Sequence, residues 1–127
     1  MNPLSPELIT GTVGELLVQL RLLQFDVQAA PPLKDSGNDL IAIKRKTIKA
    51  IQVKTTTGDR FSNLGDTLHR LFDALALVVL VGEDRTLHLD DCRIFLLSRE
   101  EIRKSSYTIS ELRDYELSPE VVNRIFG

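Results

Sequence analysis

Asp39, Gln52 and Lys54 are the residues of this chain whose types and spacing best suit chemistry. Side chains alternate faces along a strand, so in Ile51-Gln52-Val53-Lys54 the amide and the amine point one way and the aliphatic pair the other. Asp39, Ile41 and Ile43 likewise share a face of the preceding segment. If the two segments pair antiparallel and facing residue numbers sum to 91 or 93, Asp39 lies across from Gln52 or Lys54, joined by an ordinary two- or four-residue turn. An even sum would set Asp39 against Val53 and misplace every apolar side chain, so burial selects the odd register. A carboxylate and an amide oxygen are hard ligands suited to magnesium. An adjacent ammonium can orient a water held by such a cation and stabilise negative charge on a phosphate in a transition state. The same residues also suit an ordinary solvated hairpin edge with a weak Asp39–Lys54 ion pair.

Several elements must position this group. Ser5-Pro6-Glu7 is a helix start, with a capping hydroxyl and a proline where no amide bond is lost, and the helix is expected to run to about Gln24. Val13, Leu16, Leu17, Leu20 and Leu23 recur at three- and four-residue steps and predict its buried face. Leu8, Gly11, Thr12, Glu15, Gln19 and Leu22 share another face, on which Gly11 would let the helix approach a sheet and bring Glu15 with it. On the helix alone, Glu15 is more readily a surface glutamate, and it is the phase it shares with Gly11 that brings it into the site. A short strand is expected over Phe25–Ala29, a loop over Pro31–Asn38, and strands over Asp39–Ile43 and Ile48–Lys54 with Lys44–Thr47 between them. A helix from about Asn63 to Phe72 follows, then the aliphatic run Ala76–Val81, dense enough for a strand covered on both faces. Arg93–Leu97 predicts another strand, Ser98-Arg99-Glu100-Glu101 a capping box, and Ser118-Pro119-Glu120 a last helix start. The order is helix, three strands, helix, strand, then smaller additions: an α/β domain with a mixed central sheet flanked by helices.

With 127 residues, 43% hydrophobic and 27% charged, the chain fits one soluble globular domain. The single cysteine, Cys92, excludes an internal disulfide, and Met1–Ser5 lacks a basic, apolar leader, which points to the cytoplasm. The longest apolar stretch, Ala74–Val81, is far short of the roughly 20 residues of a membrane-spanning helix. The net charge of −2 hides a split: eight Lys/Arg against six Asp/Glu over residues 1–63, and eight against twelve over 64–127. Lys44-Arg45-Lys46 suits a solvated turn that discourages edge pairing, or a phosphate contact. Arg60 and Arg70, the latter beside His69, complete the candidate nucleic-acid contacts. No nucleophile elbow or glycine-rich phosphate loop occurs, His69 and His88 have no metal-ligand spacing, and acidic neighbours disfavour a Cys92 thiolate.

Gly14-Glu15 on the first helix, Gly37-Asn38-Asp39-Leu40 at a strand start and Ile51-Gln52-Val53-Lys54 on the next resemble the ordered signature of the PD-(D/E)xK, or restriction endonuclease-like, nucleases. They are most similar to its small members with glutamine in the second acidic position, such as Holliday-junction resolvases and homing endonucleases. The resemblance covers residues 5–82, with 83–127 as C-terminal additions to a single domain. It implies an αβββαβ core and a DNA phosphodiesterase using Mg²⁺ or Mn²⁺. Asp39 would be the central metal ligand, Glu15 would contribute directly or through water, Gln52 would offer its side-chain oxygen, and Lys54 would assist the water nucleophile and the phosphate. Asn38 stands where the motif has proline, and Gln52 removes a negative charge, which should weaken metal binding or limit the number of metals. A nuclease-fold module without activity, binding nucleic acid or a protein partner in an immunity or scaffold role, is the alternative. Limited surface for a duplex, and the paired action of related resolvases, suggest a homodimer.

Overall fold

The computed structural model describes residues 6–34, 39–83 and 86–127, with side chains described from residue 9 onward. The Ser5 cap and the Gly37-Asn38 part of the motif lie outside the described residues, and the Leu8 side chain on the Glu15 face is likewise not described. In chain order the elements are α1 (Pro6–Leu23), β1 (Gln28–Ala30), β2 (Leu40–Lys44), β3 (Thr47–Thr56), β4 (Arg60–Phe61), α2 (Leu64–Thr67), β5 (Ala74–Val79), β6 (Gly82–Glu83), β7 (Thr86–Leu87), β8 (Arg93–Ser98), β9 (Tyr107–Thr108) and α3 (Pro119–Phe126). Short 3-10 turns occupy Leu89–Asp91, Arg99–Glu101 and Ile109–Tyr115.

Five strands form a mixed sheet in the order β1-β2-β3-β5-β8. β2 and β3 are an antiparallel hairpin in which Leu40 faces Ile51 and Lys44 faces Thr47, so facing numbers sum to 91 and the turn is the two residues Arg45-Lys46. Arg45 takes a left-handed φ of 56°, as such tight hairpin turns require. β5 pairs parallel with β3 and antiparallel with β8, and all six of its residues are buried, as its run of aliphatics predicts.

The sheet separates two cores. On one side Ile51, Val53, Ala76 and Val78 pack under Leu17, Val18 and Leu22 of α1 and Val121, Val122, Ile125 and Phe126 of α3. On the other, Leu75, Leu77, Phe95 and Leu97 pack against Phe61, Leu64, Phe72, Tyr107 and Leu112. The Ser118 hydroxyl caps α3 by accepting from the Val121 amide, and Ser98 and Glu101 form the expected capping box over a single 3-10 turn.

Three expectations are corrected. The first strand begins at Gln28, because Phe25 and Asp26 turn the chain out of α1, with Asp26 at φ 63° and the Val27 amide donating to the Leu22 carbonyl. α2 is one turn long rather than ten residues. The Leu68 carbonyl, which a helix running to Phe72 would have used, accepts instead from the Arg99 guanidinium, which also donates to the Arg70 and Phe72 carbonyls and stacks on the Phe72 ring. On α1 the buried stripe is Gly14, Leu17, Val18 and Leu22, whereas Leu16 (58%), Leu20 (51%) and Leu23 (58%) are exposed. Apolar residues surround much of this helix, so periodicity alone offers two faces, and the face holding Gly14 wins because only it allows close approach to β3.

Candidate active site

At Gly14, α1 stands directly against the Thr55 side chain of β3. A Cβ on Gly14 would stand 1.9 Å from Thr55 Oγ1 and 3.0 Å from Thr55 Cβ, so only glycine fits there. Gly11, expected to serve this purpose, faces open space instead. The close approach delivers the next residue, Glu15, to the start of β2, where Asp39 stands. An open cleft of about 580 Å³ lies between the two elements, lined by Thr10, Gly11, Glu15, Asp39, Val53, Lys54, Thr55, Thr56 and Thr57.

The register of the hairpin sets Asp39 beside Gln52. Gln52 Nε2 donates to Asp39 Oδ2 at 2.8 Å, and the Val53 amide donates to the same oxygen at 2.9 Å. Gln52 is only 6% exposed and lies behind Asp39 rather than on the cleft wall. Its Oε1, like Oγ1 of Thr55, is buried without a hydrogen-bond partner among the described residues. Such an orphan costs roughly 1–3 kcal/mol unless something else meets it. Burial, and then the negative charge of Asp39, push the Glu15 carboxyl above its ordinary value of 4.5. Lys54 lines the same cleft and makes no ion pair among the described residues.

The donor set fits a hard divalent cation. Two carboxylates that make no ion pair among the described residues, beside an amide oxygen without a hydrogen-bond partner among them, are the kind of oxygen ligands that magnesium takes while keeping several waters. Among the described residues no three His, Cys, Asp or Glu side chains cluster as a closed metal cage.

Glu15, Asp39, Gln52 and Lys54 are thus brought together, and Arg60 lies beyond the cleft end of β3, where it donates to Ser106 Oγ. The other candidate contacts are placed elsewhere. Lys44, Arg45 and Lys46 sit at the opposite end of β3, roughly 20–25 Å from Lys54 at the usual strand rise. Arg70 lies beyond α2, near the start of β5, also at that far end. A second depression there, of about 470 Å³, is lined by charges engaged within the fold, among them Arg124 paired with Glu101 and Asp73 accepting from the Ala50 amide. The sequence argument did not single out Thr10 or Thr55-Thr56-Thr57 as cleft residues. The three consecutive threonines immediately after Lys54 were the available signal.

The match to solved structures decides the fold. A bacterial homing endonuclease superimposes with a TM-score of 0.60 over 94% of this chain and 88% of its own, at 15% identity. Hjc, a Holliday junction resolvase of the archaeal hyperthermophile Archaeoglobus fulgidus, superimposes with a TM-score of 0.57 over 92% of this chain and 98% of its own, at 16% identity. The fold is restriction endonuclease-like. No known family pattern and no curated protein matches the sequence. The expected mixed sheet flanked by helices is therefore the architecture of a nuclease fold, reached here with little sequence in common.

Proposed function

We propose that this chain is a metal-dependent DNA endonuclease whose site is the Glu15–Asp39–Gln52–Lys54 cleft. The observation that carries the reading is the meeting of two carboxylates from separate elements with an unpaired lysine at one open cleft of a nuclease fold. Glu15 and Asp39 would hold Mg²⁺ or Mn²⁺, with the free amide oxygen of Gln52 close behind. The cation supplies charge neutralisation and a more acidic water.

The chain's own residues do the rest. Gln52 and the Val53 amide fix one oxygen of Asp39, and the other accepts no hydrogen bond among the described residues. The Lys54 ammonium donates to a non-bridging phosphate oxygen and offsets the charge that accumulates as water bonds to phosphorus and the opposite P–O bond breaks. Thr56 and Thr57 offer the sugar-phosphate backbone hydroxyls along the cleft rim. The enzyme would act as a homodimer on DNA.

Plasmid, linear, branched and single-stranded DNA, each with Mg²⁺ or Mn²⁺, test the proposal beside Lys54→Ala and Asp39→Ala. Each variant is expected to lose roughly 10²-fold or more of the cleavage rate, the scale of a lost transition-state contact. Cleavage surviving undiminished in both variants would place the activity elsewhere. DNA binding without cleavage by the natural protein under every condition would favour the inactive module, a reading supported by the amide at position 52.

A further inference from the structure

Among the described residues, nothing covers the outer face of α1. Ile9, Leu16, Leu20 and Leu23 are each about half exposed, and Val13, between them, is only partly covered by the core. The steps from Ile9 to Val13, Leu16, Leu20 and Leu23 are four, three, four and three residues, the spacing at which the knobs of one helix fit the holes of another. At 100° per residue this seam points almost directly away from the sheet, opposite Gly14 and Val18, while Glu15 and the cleft lie to one side. A second element could therefore cover the seam without closing the cleft.

We propose that the Ile9–Leu23 seam of α1 is the surface by which two copies of this chain associate, α1 against α1. This specifies the pairing suggested above and does not depend on what the cleft does. Two features select a second copy. First, the seam and its flanking positions Thr12 and Gln19 carry no charge, so identical faces meet without repulsion. The only charged side chains from Ile9 to Gln24 are Glu15, turned to the cleft, and Arg21, whose guanidinium donates to the Leu89 carbonyl. A helix lying on a membrane would instead bear lysines and arginines opposite its leucines, where α1 carries its buried stripe.

Second, the area suits such a contact. Four half-exposed Leu and Ile side chains present roughly 400 Å² of contiguous apolar surface, as much as a monomer usually leaves open, and about half the ~800 Å² per partner of a standard interface. The seam is about 21 Å long, the length of a compact helix-to-helix contact.

Sedimentation velocity of the full chain across micromolar concentrations is the test. The natural protein should sediment at twice its chain mass, and Leu16→Glu with Leu20→Glu should be monomeric to ~100 µM, a loss of at least about 100-fold in association. Both side chains are more than half exposed, so circular dichroism and melting at low concentration should stay unchanged. Should the glutamates disturb α1, Leu16→Ala with Leu20→Ala keeps strong helix formers and should still weaken the pair by about tenfold or more. A natural protein that is monomeric at ~100 µM would overturn the pairing altogether. A dimer unaffected by either double variant would overturn this surface and leave pairing through another one.

Discussion

At the scale of single residues, the unusual feature is an amide where a second acid would be expected, and the structure shows its local effect. Gln52 donates to the oxygen of Asp39 that also receives the Val53 amide, so hydrogen bonds hold the two residues together. A carboxylate at position 52 would turn that contact into repulsion, worth about 4 kcal/mol for unit charges 4 Å apart at an effective dielectric near 20. Gln52→Glu should therefore lower the Tm of the metal-free protein and bind Mg²⁺ or Mn²⁺ more tightly, while Asp39→Asn binds more weakly. Titration calorimetry and melts with and without metal would show it, and equal affinity in all three proteins would mean that the cleft holds no metal. Glu15 adds a pH signature. Its raised pKa means that the folded chain holds this proton more tightly than the unfolded chain, so the ionised form opposes folding. That opposition is complete above the folded pKa, fades as pH falls through it, and is gone below the ordinary 4.5. Glu15→Gln should raise the metal-free Tm near pH 7 and lose the gain toward about pH 4; a gain constant over that range would contradict the assignment.

At the scale of elements, the two glycines of α1 separate cleanly. Gly14→Ala forces a Cβ into Thr55 and should cost about 1–3 kcal/mol, or shift α1 and move Glu15 off the cleft, so metal affinity falls as well. Thr55→Gly on top of it should restore much of both, as measured by denaturant melts and metal titration. Gly11→Ala, into open space, should stabilise by up to ~1 kcal/mol. From sequence, the hairpin, the odd register and the central strand were legible, because alternation along β2 and β3 and the unbroken aliphatic run of β5 each permit one burial solution. α2 was not, since Arg99, about thirty residues further along the chain, binds the Leu68 carbonyl that a local pattern assigns to the helix itself. The face of α1 was ambiguous for a different reason. Its most regular apolar stripe, the one that periodicity picks, is the one the single chain leaves outside.

At the scale of the whole molecule, charge is spread along the sheet rather than gathered at the cleft. Lys44, Arg45 and Lys46 lie at the far end of β3 from Lys54, a distance that corresponds to about seven base pairs of duplex at 3.4 Å each. If one duplex spans both, Lys44→Ala, Arg45→Ala and Lys46→Ala together should flatten the dependence of log K on log salt by up to about 3 for a duplex of some 20 base pairs. Cleavage of a duplex too short to reach the turn should be unchanged. A slope unaltered on the long duplex would make the turn a solubility device only. The sheet has one further consequence, in the order of its assembly. Its parallel pairing, β3 with β5, joins two parts built from antiparallel neighbours, β1-β2-β3 and β5-β8. The β2–β3 contact closes only a two-residue turn, whereas β3–β5 requires closure of a loop beyond Thr56 and so comes at greater entropic cost. The hairpin that aligns Asp39 with Gln52 should therefore form early and the junction with β5 late. Ala42→Gly should then mainly slow refolding, and Ala76→Gly mainly speed unfolding, in stopped-flow chevrons.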